Sequence, residues 1–238
     1  MILCLDSGNS RVKWGLRAAG QWRAGGAVTH AEVPRLAALP RQWPQPRQIL
    51  LANVAGDAAA SALRAALSAW GAVPWQEIRS SAGAGGVSNG YENPEKLGVD
   101  RWCALIAAHR LVSGPALVVM AGTATTIDTL DAEGNFRGGL ILPGLDLMRR
   151  ALARETAGLP FANGHYAALP RCTDDAIVSG TLEAQAGAVE RAWQRLNDGA
   201  AACLLSGGNA PALQPLLSIP CQLVDNLPLE GLAALAES

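Results

Sequence analysis

Residues 1–16 read MILCLDSGNSRVKWGL and carry the clearest structural signal in the chain. The apolar run 2–5 predicts a buried strand, and the alternation of apolar and other residues from Val12 to Leu16 predicts a second strand. Between the two lies a turn of small polar residues, where Gly8 lets the backbone bend sharply and lets a ligand approach closely. The stretch therefore predicts a β-hairpin with a polar tip.

The tip of this hairpin carries groups that suit a nucleoside triphosphate. Ser7, Asn9 and Ser10 offer backbone and side-chain donors, and Lys13 supplies a cation. Asp6, at the end of the buried strand, is placed to hold a hydrated Mg²⁺ ion. Donors, a cation and a metal-holding carboxylate are what a bound triphosphate requires. An ordinary hairpin with a polar turn explains the same residues, because short glycine motifs are not specific.

Length and composition limit the classes of protein to which this chain can belong. The chain has 238 residues, half of them hydrophobic, which predicts one large domain or two of roughly 120 residues. With 19 basic and 20 acidic residues the net charge is −1, and no basic block points to nucleic acid or an anionic membrane. No apolar run reaches the ~18 residues of a membrane span, and no signal peptide is recognised. We therefore expect a cytoplasmic protein that binds neither nucleic acid nor membrane.

The cysteines and histidines give no metal-binding or disulfide pattern. The five cysteines are odd in number, widely spaced and without a Cys-x-x-Cys pair, which indicates reduced thiols rather than disulfides or a zinc site. The three histidines, His30, His109 and His165, are scattered along the chain. A catalytic or ligand role is not expected for any of them.

A second candidate site lies in residues 91–101, which read YENPEKLGVDR and lead into an apolar helical run. The preceding residues 80–90 are rich in serine and glycine and predict a flexible linker. Asp100 and Arg101 are therefore predicted near a helix start. Asp100 is either a general base for a substrate hydroxyl or a helix cap. Arg101 either binds an anionic substrate or phosphate, or belongs to a surface ion pair.

The layout of the first residues recurs after a break near the midpoint of the chain. Gly114-Pro115 interrupts the pattern and is the predicted boundary between two domains, 1–114 and 115–238. Residues 116–130 then repeat the order of residues 1–16: apolar strand, small polar turn with glycine, strand. The alternation of strands and helices is that of an α/β protein. The repeat predicts two similar domains, each presenting a phosphate-binding hairpin to a shared cleft.

Two further helices are predicted from capping residues and apolar spacing. Asp57 and Thr173 are each expected at the N-cap of a helix, the second of them long. The glycine-rich stretches 138–144 and 206–208 adjoin predicted strands. Their glycines serve either tight packing of the backbone or close approach to a ligand.

Six stretches in the same order resemble the type III pantothenate kinase family, which includes proteins described as Bvg accessory factors. The matching stretches are Asp6-Ser-Gly-Asn-Ser-x-x-Lys13, Tyr91-x-x-Pro-x-x-Leu-Gly98-x-Asp-Arg101, Gly122-Thr-Ala-Thr-Thr-Ile-Asp128, Gly138-Gly-x-Ile-x-Pro-Gly144, Thr173-x-x-Ala-Ile-x-x-Gly180 and Ser206-Gly-Gly208. One such motif alone is weak evidence for the family, whereas six motifs in family order across nearly the whole chain are specific evidence for it.

The resemblance implies a fold and an activity. The fold is the α/β, actin-like fold of acetate and sugar kinases, with two ribonuclease H-like domains, each a mixed five-stranded-type sheet flanked by helices, and a cleft between them. The activity is ATP-dependent phosphorylation of the primary hydroxyl of pantothenate to 4'-phosphopantothenate, the first step of coenzyme A synthesis. The resemblance also implies a homodimer with the substrate pocket near the dimer interface.

The resemblance further implies roles for single residues, carried over motif by motif. The residues assigned to ATP and its Mg²⁺ are Asp6, Ser7, Gly8, Asn9, Ser10, Arg11, Val12, Lys13 and, for ATP alone, Thr123. The residues assigned to pantothenate are Tyr91, Gly98, Val99, Asp100, Arg101 and Thr173. Asp100 is the implied proton acceptor.

One position departs from the family pattern. The family usually has an aspartate in an Asp-x-Gly-Thr motif that holds K⁺ or NH₄⁺ near the phosphates, and here Met120 occupies that position. A thioether is a poor ligand for a hard cation. Either other oxygens hold the cation, or the enzyme works without it, or some activity is lost.

Two alternative functions follow from these observations. Lost activity would fit a regulatory accessory protein that keeps the kinase fold, for which Met120 is the sequence support. Another actin-fold phosphotransferase, such as a sugar kinase or polyphosphatase, is the second alternative. The stretch from Tyr91 to Arg101 argues against it, because it matches the segment implied to bind pantothenate.

Overall fold

The computed structural model describes residues 1–237 and shows an α/β protein. Its strands are β1 (Ile2–Ser7), β2 (Arg11–Ala18), β3 (Gln21–Thr29), β4 (Ile49–Asn53), β5 (Trp75–Glu77), β6 (Gly83–Ala84), β7 (Val87–Asn89), β8 (Ala116–Ala121), β9 (Ala124–Leu130), β10 (Asn135–Pro143), β11 (Ala202–Ser206) and β12 (Cys221–Leu223). Its α-helices are α1 (Leu39–Gln42), α2 (Asp57–Ala66), α3 (Val99–Leu111), α4 (Leu145–Glu155), α5 (Thr173–Leu196), α6 (Ala210–Leu213) and α7 (Leu227–Glu237). Short 3-10 helices cover His30–Ala38, Ser68–Trp70, Pro94–Lys96 and Gln214–Leu216.

The chain packs as two compact units. Unit 1 comprises Met1–Leu111 together with residues 226–237, and unit 2 comprises Val112–Asp225. The C-terminal helix α7, expected from the sequence in the second domain, thus lies in unit 1. The division at residues 114 and 115 into two domains stays a prediction. Within residues 1–237, none of the helices has the length and apolar character needed to cross a membrane.

Unit 1 is built on a mixed five-stranded sheet in the order β3-β2-β1-β4-β5. The pairs β1–β2 and β2–β3 are antiparallel, whereas β1–β4 and β4–β5 are parallel. Side chains alternate between the two faces of a strand. Leu3 and Leu5 of β1 therefore pack with α2 and the 3-10 helix His30–Ala38, while Ile2 and Cys4 pack with α3 and α7. Because both faces are covered, β1 and β4 are almost continuously apolar.

Unit 2 repeats this topology. Its five strands run in the order β10-β9-β8-β11-β12. The pairs β8–β9 and β9–β10 are antiparallel, and β8–β11 and β11–β12 are parallel. Leu117, Val119 and Ile127 form a core with Ala186 and Val189 of the long helix α5. The two units share one strand order and one set of directions, as the repeat of residues 1–16 in 116–130 predicts.

The run 80–90 is more ordered than its composition suggests. It was predicted as a flexible linker, but it contains the antiparallel hairpin β6–β7. Gly85 and Gly86 form the two-residue turn with φ of +59° and +81°, values that a two-residue hairpin turn of this type requires and that glycine adopts at low cost. The linker prediction was wrong because such a turn has the same glycine-rich composition as a linker.

Both predicted helix caps lie one residue inside their helices. α2 begins at Asp57 with Gly56 as its N-cap, and α5 begins at Thr173 with Cys172 as its N-cap. The acidic Asp57 is still favourable in the first turn, where it meets the positive end of the helix dipole. The capping role predicted for Thr173 is therefore wrong.

Candidate active site

Asp6 and Lys13 face each other across the first hairpin. Asp6 near the end of β1 pairs in register with Lys13 on β2, and directly opposed residues of an antiparallel pair project from the same face. The turn is closed by the Gly8 N–H, which donates to the Arg11 carbonyl oxygen at 3.1 Å. The predicted carboxylate and cation thus lie on one face of the hairpin, beside its tip.

The same face of β1 packs against α3 and brings Asp6 near Asp100. Ile2 and Cys4 on this face form a core with Val99 and Cys103 of α3. Asp6 is only 7% exposed. Burial, the largest cause, raises the pKa of Asp6 from 3.8 to about 7; Lys13 lowers this pKa and the nearby Asp100 raises it further.

This arrangement of carboxylates fits a divalent cation. Two carboxylates close together with one of them buried repel each other, and a Mg²⁺ ion beside them would offset that repulsion with the oxygen ligands it prefers. Asp6 is the residue best placed to hold it. Within residues 1–237, no cluster of three or more His, Cys, Asp or Glu side chains forms a metal site by itself.

Two residues assigned to ATP point away from this face. Ser7 and Val12 are register partners on β1 and β2, and both are fully buried. Val12 belongs to the core on the other side of the sheet, with Leu3 and Leu5. Their side chains lie in the protein interior, so these two residues can offer a ligand only backbone groups. The side chains of Asn9, Ser10 and Arg11 at the tip are exposed.

Gly98 controls where the carboxylate of Asp100 lies. A Cβ atom at residue 98 would be 2.7 Å from Asp100 Oδ1, so any other residue would displace that oxygen. Asp100 Oδ1 also accepts a hydrogen bond from the Arg101 N–H at 2.9 Å. The Trp102 N–H donates to the Gly98 carbonyl oxygen at 2.9 Å, while Val99 is buried. This motif therefore starts α3 and orients a half-buried Asp100 carboxylate.

Arg101 and Tyr91, both assigned to pantothenate, are in contact. Arg101 is 4% exposed, and its Nη1 donates to Tyr91 Oη at 2.8 Å. Tyr91 is anchored in turn, because its N–H donates to Asn89 Oδ1 at 3.1 Å. Asn89 Nδ2 donates to the carbonyl oxygens of Ser81 and Pro94. The structure thus brings together a buried cation and a phenol on a well-anchored loop.

In unit 2, Thr123 lies exposed in the turn that corresponds to the hairpin tip of unit 1. The Gly122 N–H donates to the Ala124 carbonyl oxygen at 3.0 Å, and the Gly144 N–H donates to the Thr123 carbonyl oxygen at 2.9 Å. A Cβ at Gly144 would overlap the backbone of Gly122 and Thr123, and one at Gly207 would overlap the backbone of Ala121. Both glycine-rich stretches therefore supply glycines that pack tightly against this turn.

Thr173 lies at the start of the long helix α5 in unit 2. It is the first residue of α5 and its side chain is exposed. The backbone N–H groups of Asn163 and His165 donate to the carboxylates of Asp174 and Asp175 in the same helical turn. The loop before α5 is therefore tied to the start of that helix, with Thr173 beside it.

Met120 does not suit a monovalent cation. It lies half-buried on β8, in register with Thr126 on β9 and Ser206 on β11. These cross-strand partners carry hydroxyls, and neither carries a carboxylate. A thioether between hydroxyls is a weak ligand set for a hard cation such as K⁺.

Two residues that the sequence patterns did not single out contact the turns. His30 Nε2 lies 2.8 Å from the Gly8 carbonyl oxygen, 22 positions away in the chain. Asn209 Nδ2 donates to the Gly122 carbonyl oxygen at 3.1 Å from 87 positions away. No periodicity or motif links such distant positions, so no sequence signal was available to find them.

Comparison with known proteins gives a consistent result. The family model described as type III pantothenate kinase matches residues 2–195. The chain is 58% identical to the type III pantothenate kinase of Dechloromonas aromatica over 99% of both chains. It is 54% identical to the type III pantothenate kinase of Aromatoleum aromaticum, over 99% of this chain and 98% of the relative.

Solved structures with low sequence identity share the fold. A protein from Campylobacter jejuni described as a Baf family transcriptional activator superposes with a TM-score of 0.62 at 19% identity, covering 99% of this chain and 97% of that one. A protein from Sinorhizobium meliloti described as a 2-dehydro-3-deoxygalactonokinase superposes with a TM-score of 0.62 at 15% identity, covering 100% and 98%. At such identities the likeness concerns the fold alone.

Proposed function

The chain belongs to the type III pantothenate kinase family, and we propose that it transfers the γ-phosphoryl group of ATP to the primary hydroxyl of pantothenate. The product is 4'-phosphopantothenate, and the reaction is the first step of coenzyme A synthesis. The observation that carries this proposal is the placement of Asp100 beside Asp6 on the face of the hairpin that also bears Lys13. A candidate base, a metal-holding carboxylate and a cation are thereby gathered at one place.

The first hairpin is proposed to bind the triphosphate. Phosphoryl transfer depends on alignment and charge neutralisation more than on covalent chemistry by the protein. Lys13 supplies one positive charge, and a Mg²⁺ ion held by Asp6 would supply two more to neutralise the triphosphate. The exposed tip, Asn9 to Arg11, adds backbone and side-chain donors. Thr123, in the topologically equivalent turn of unit 2, is proposed as a further ATP-binding residue, as the family resemblance implies.

Asp100 is proposed to accept the proton of the attacking hydroxyl. The Arg101 N–H holds one carboxylate oxygen at 2.9 Å, and Gly98 leaves room for that oxygen. The group is therefore oriented before substrate arrives, and its second oxygen is proposed to accept the hydroxyl proton. General-base catalysis of this kind typically contributes ~10²–10⁴-fold in rate.

Arg101 and Tyr91 are proposed to recognise the anionic part of pantothenate. Pantothenate carries a carboxylate, which a guanidinium binds with strong, charge-assisted hydrogen bonds. The contact of Arg101 with Tyr91 Oη at 2.8 Å fixes the guanidinium in one orientation. Thr173 on α5 is proposed as a further contact to the same substrate.

We also propose a homodimer located in the cytoplasm. The dimer is what the family resemblance implies, and large apolar side chains exposed on unit 2, among them Ile141 at 65% and Leu169 at 87%, are available for such a contact. A monovalent cation is not part of the proposal, because Met120 does not suit one. The oligomer is tested by sedimentation of the purified protein.

The test of the reaction is ADP formation from ATP and pantothenate with Mg²⁺. Asp100→Asn is expected to lower kcat by ~10²-fold or more while calorimetry still detects pantothenate binding. Asp57→Asn, an equal charge change at an exposed position of α2, is the matched control and is expected to keep the wild-type rate. A wild-type rate for Asp100→Asn would remove the base assignment. Turnover with a sugar but none with pantothenate would overturn the proposed substrate.

A further inference from the structure

Both units hold the turn after their first strand by the same kind of contact. In unit 1, His30 Nε2 lies 2.8 Å from the Gly8 carbonyl oxygen. In unit 2, Asn209 Nδ2 donates to the Gly122 carbonyl oxygen at 3.1 Å. Gly8 directly follows β1 and Gly122 directly follows β8, which occupy equivalent places in the two sheets. In each unit, a side chain from outside the hairpin therefore binds the carbonyl of the first glycine of the turn.

A bond to this carbonyl also determines where the next amide points. The Gly8 carbonyl and the Asn9 N–H belong to one planar trans peptide group, so they point in opposite directions. The same holds for the Gly122 carbonyl and the Thr123 N–H. No cis peptide bond occurs among residues 1–237. A donor that holds the carbonyl in one direction therefore also fixes the direction of the following N–H.

We infer that His30 and Asn209 are positioning residues, each of which holds the peptide group after the first glycine of its turn, Gly8–Asn9 or Gly122–Thr123, in the orientation that binds ATP. The inference rests on the proposed function, because it takes the two turns as the nucleotide-binding elements. An N–H that is already oriented loses little freedom when a phosphate binds, and a preoriented donor stabilises developing charge without reorganisation. The contacts are thus expected to strengthen nucleotide binding.

The support beneath each donor is rigid. His30 begins the 3-10 helix His30–Ala38, whose Val33 and Leu36 are buried in the core of unit 1. Asn209 is held by its own backbone N–H, which donates to the Ala121 carbonyl oxygen at 3.0 Å. Rigid supports let a single hydrogen bond fix the direction of a peptide group.

The chemistry of the His30 contact determines which variants test it. A carbonyl oxygen only accepts, so Nε2 carries the proton in this contact. A glutamine side chain places an amide N–H₂ at a similar distance from Cα as Nε2, whereas phenylalanine keeps a ring but has no donor. His30→Gln is therefore the conservative variant and His30→Phe the disruptive one, with His30→Ala as a second disruptive variant that needs no extra room.

The first experiment measures Mg·ADP and ATP binding by calorimetry and the separate KM values for ATP and pantothenate. His30→Phe and His30→Ala are expected to weaken nucleotide binding and raise the KM for ATP about three- to tenfold, the loss of one hydrogen bond. The KM for pantothenate is expected to stay unchanged. His30→Gln is expected to restore most of the nucleotide affinity. A purely structural role would instead lower the melting temperature without separating the two KM values.

The second experiment applies the same measurements to unit 2. Asn209→Asp keeps the size of the side chain but turns the donor towards Gly122 into an acceptor, and Asn209→Ala removes it. Both are expected to weaken nucleotide binding at least threefold. The matched controls are Gln21→Ala and Asn135→Ala, at the ends of β3 and β10 that lie far from the two turns. Both controls are expected to bind nucleotide as the wild type does.

The outcomes separate this inference from the proposed function. Unchanged nucleotide affinity in folded His30→Ala and Asn209→Ala variants would overturn the inference, even if the wild type phosphorylates pantothenate. If the variants bind nucleotide more weakly than the wild type, but the wild type itself does not phosphorylate pantothenate, the inference stands and the proposed substrate is refuted.

Discussion

Gly231 of α7 lies directly against the backbone of Cys103 in α3. A Cβ atom at residue 231 would overlap the Cys103 carbonyl group, so the two helices approach as closely as their backbones allow. Around this contact, Leu229, Leu232 and Ala233 of α7 join the core formed with β1, β4 and α3. Because Gly231 has no side chain, the C-terminal helix α7 can pack directly against α3.

Gly231→Ala is predicted to destabilise the protein despite the better helix propensity of alanine. The new methyl group meets backbone atoms that cannot move aside, and overpacking of this kind typically costs about 1–3 kcal/mol. Gly187→Ala in α5 is the matched control, because nothing lies within 4 Å of its new Cβ. It is expected to be neutral or stabilising by up to about 1 kcal/mol. Urea denaturation measures both, and equal effects of the two changes would contradict the packing argument.

Tyr91→Phe is predicted to raise the KM for pantothenate about three- to tenfold, with little change in kcat or in the KM for ATP. The variant removes the Oη that accepts from Arg101 at 2.8 Å, so a buried guanidinium loses one partner and one constraint on its orientation. Steady-state kinetics with each substrate varied in turn checks this. Tyr166→Phe, at an exposed tyrosine that donates to Glu183, is the control. A rise confined to the KM for ATP would place Tyr91 elsewhere in the site.

Asp6→Asn is predicted to stabilise the metal-free protein more at pH 8 than at pH 4.5. Burial raises the pKa of Asp6 from 3.8 to about 7, so the folded protein keeps a proton that the unfolded chain releases. The wild type therefore loses stability as the pH rises from about 4 to about 7, whereas asparagine has no proton to lose. The pH-dependent part of the difference in free energy of unfolding between Asp6→Asn and the wild type has an upper limit of about 4 kcal/mol, because the pKa of Asp6 is shifted by roughly three units.

This prediction is checked by urea denaturation in EDTA at pH 4.5, 6 and 8. The free energy of unfolding of Asp6→Asn, relative to the wild type, should increase across that series. A difference that stays constant with pH, or decreases, would show that the carboxyl of Asp6 is ionised in the folded protein throughout. Mg²⁺ with ADP should reduce the advantage of the variant, since the ion is expected to bind only the wild-type carboxylate.

The wild type is predicted to turn over equally fast in K⁺, NH₄⁺ and choline salts at equal ionic strength. Met120 and its register partners Thr126 and Ser206 lack the carboxylate that a hard cation prefers. Met120→Asp is predicted to introduce a dependence on K⁺, measured as the ratio of rates in K⁺ and choline. Strong stimulation of the wild type by K⁺ would show that other oxygens hold the cation.

Much of the fold could be predicted because its signals are local. The hairpin of residues 1–16 and its repeat in 116–130 are read from apolar periodicity and from turn residues that are neighbours in the chain. The α/β class and the family are confirmed. The hairpin β6–β7 was missed because its two-residue glycine turn has the composition of a linker. The predicted N-caps of α2 and α5 were each one residue too late in the chain, because several adjacent residues at each helix start are compatible with a cap.

The sequence by itself determined the strands, the order of the motifs and the membership of the family, because each of these is written in short stretches of adjacent residues. Only the tertiary structure decided which side chains meet. The burial of Asp6 beside Asp100, the contact of Tyr91 with Arg101 and the hydrogen bond from His30 to Gly8 all join separate segments. Desolvation and hydrogen bonding act over a few ångströms in space, so they depend on how distant segments pack and leave no pattern along the chain.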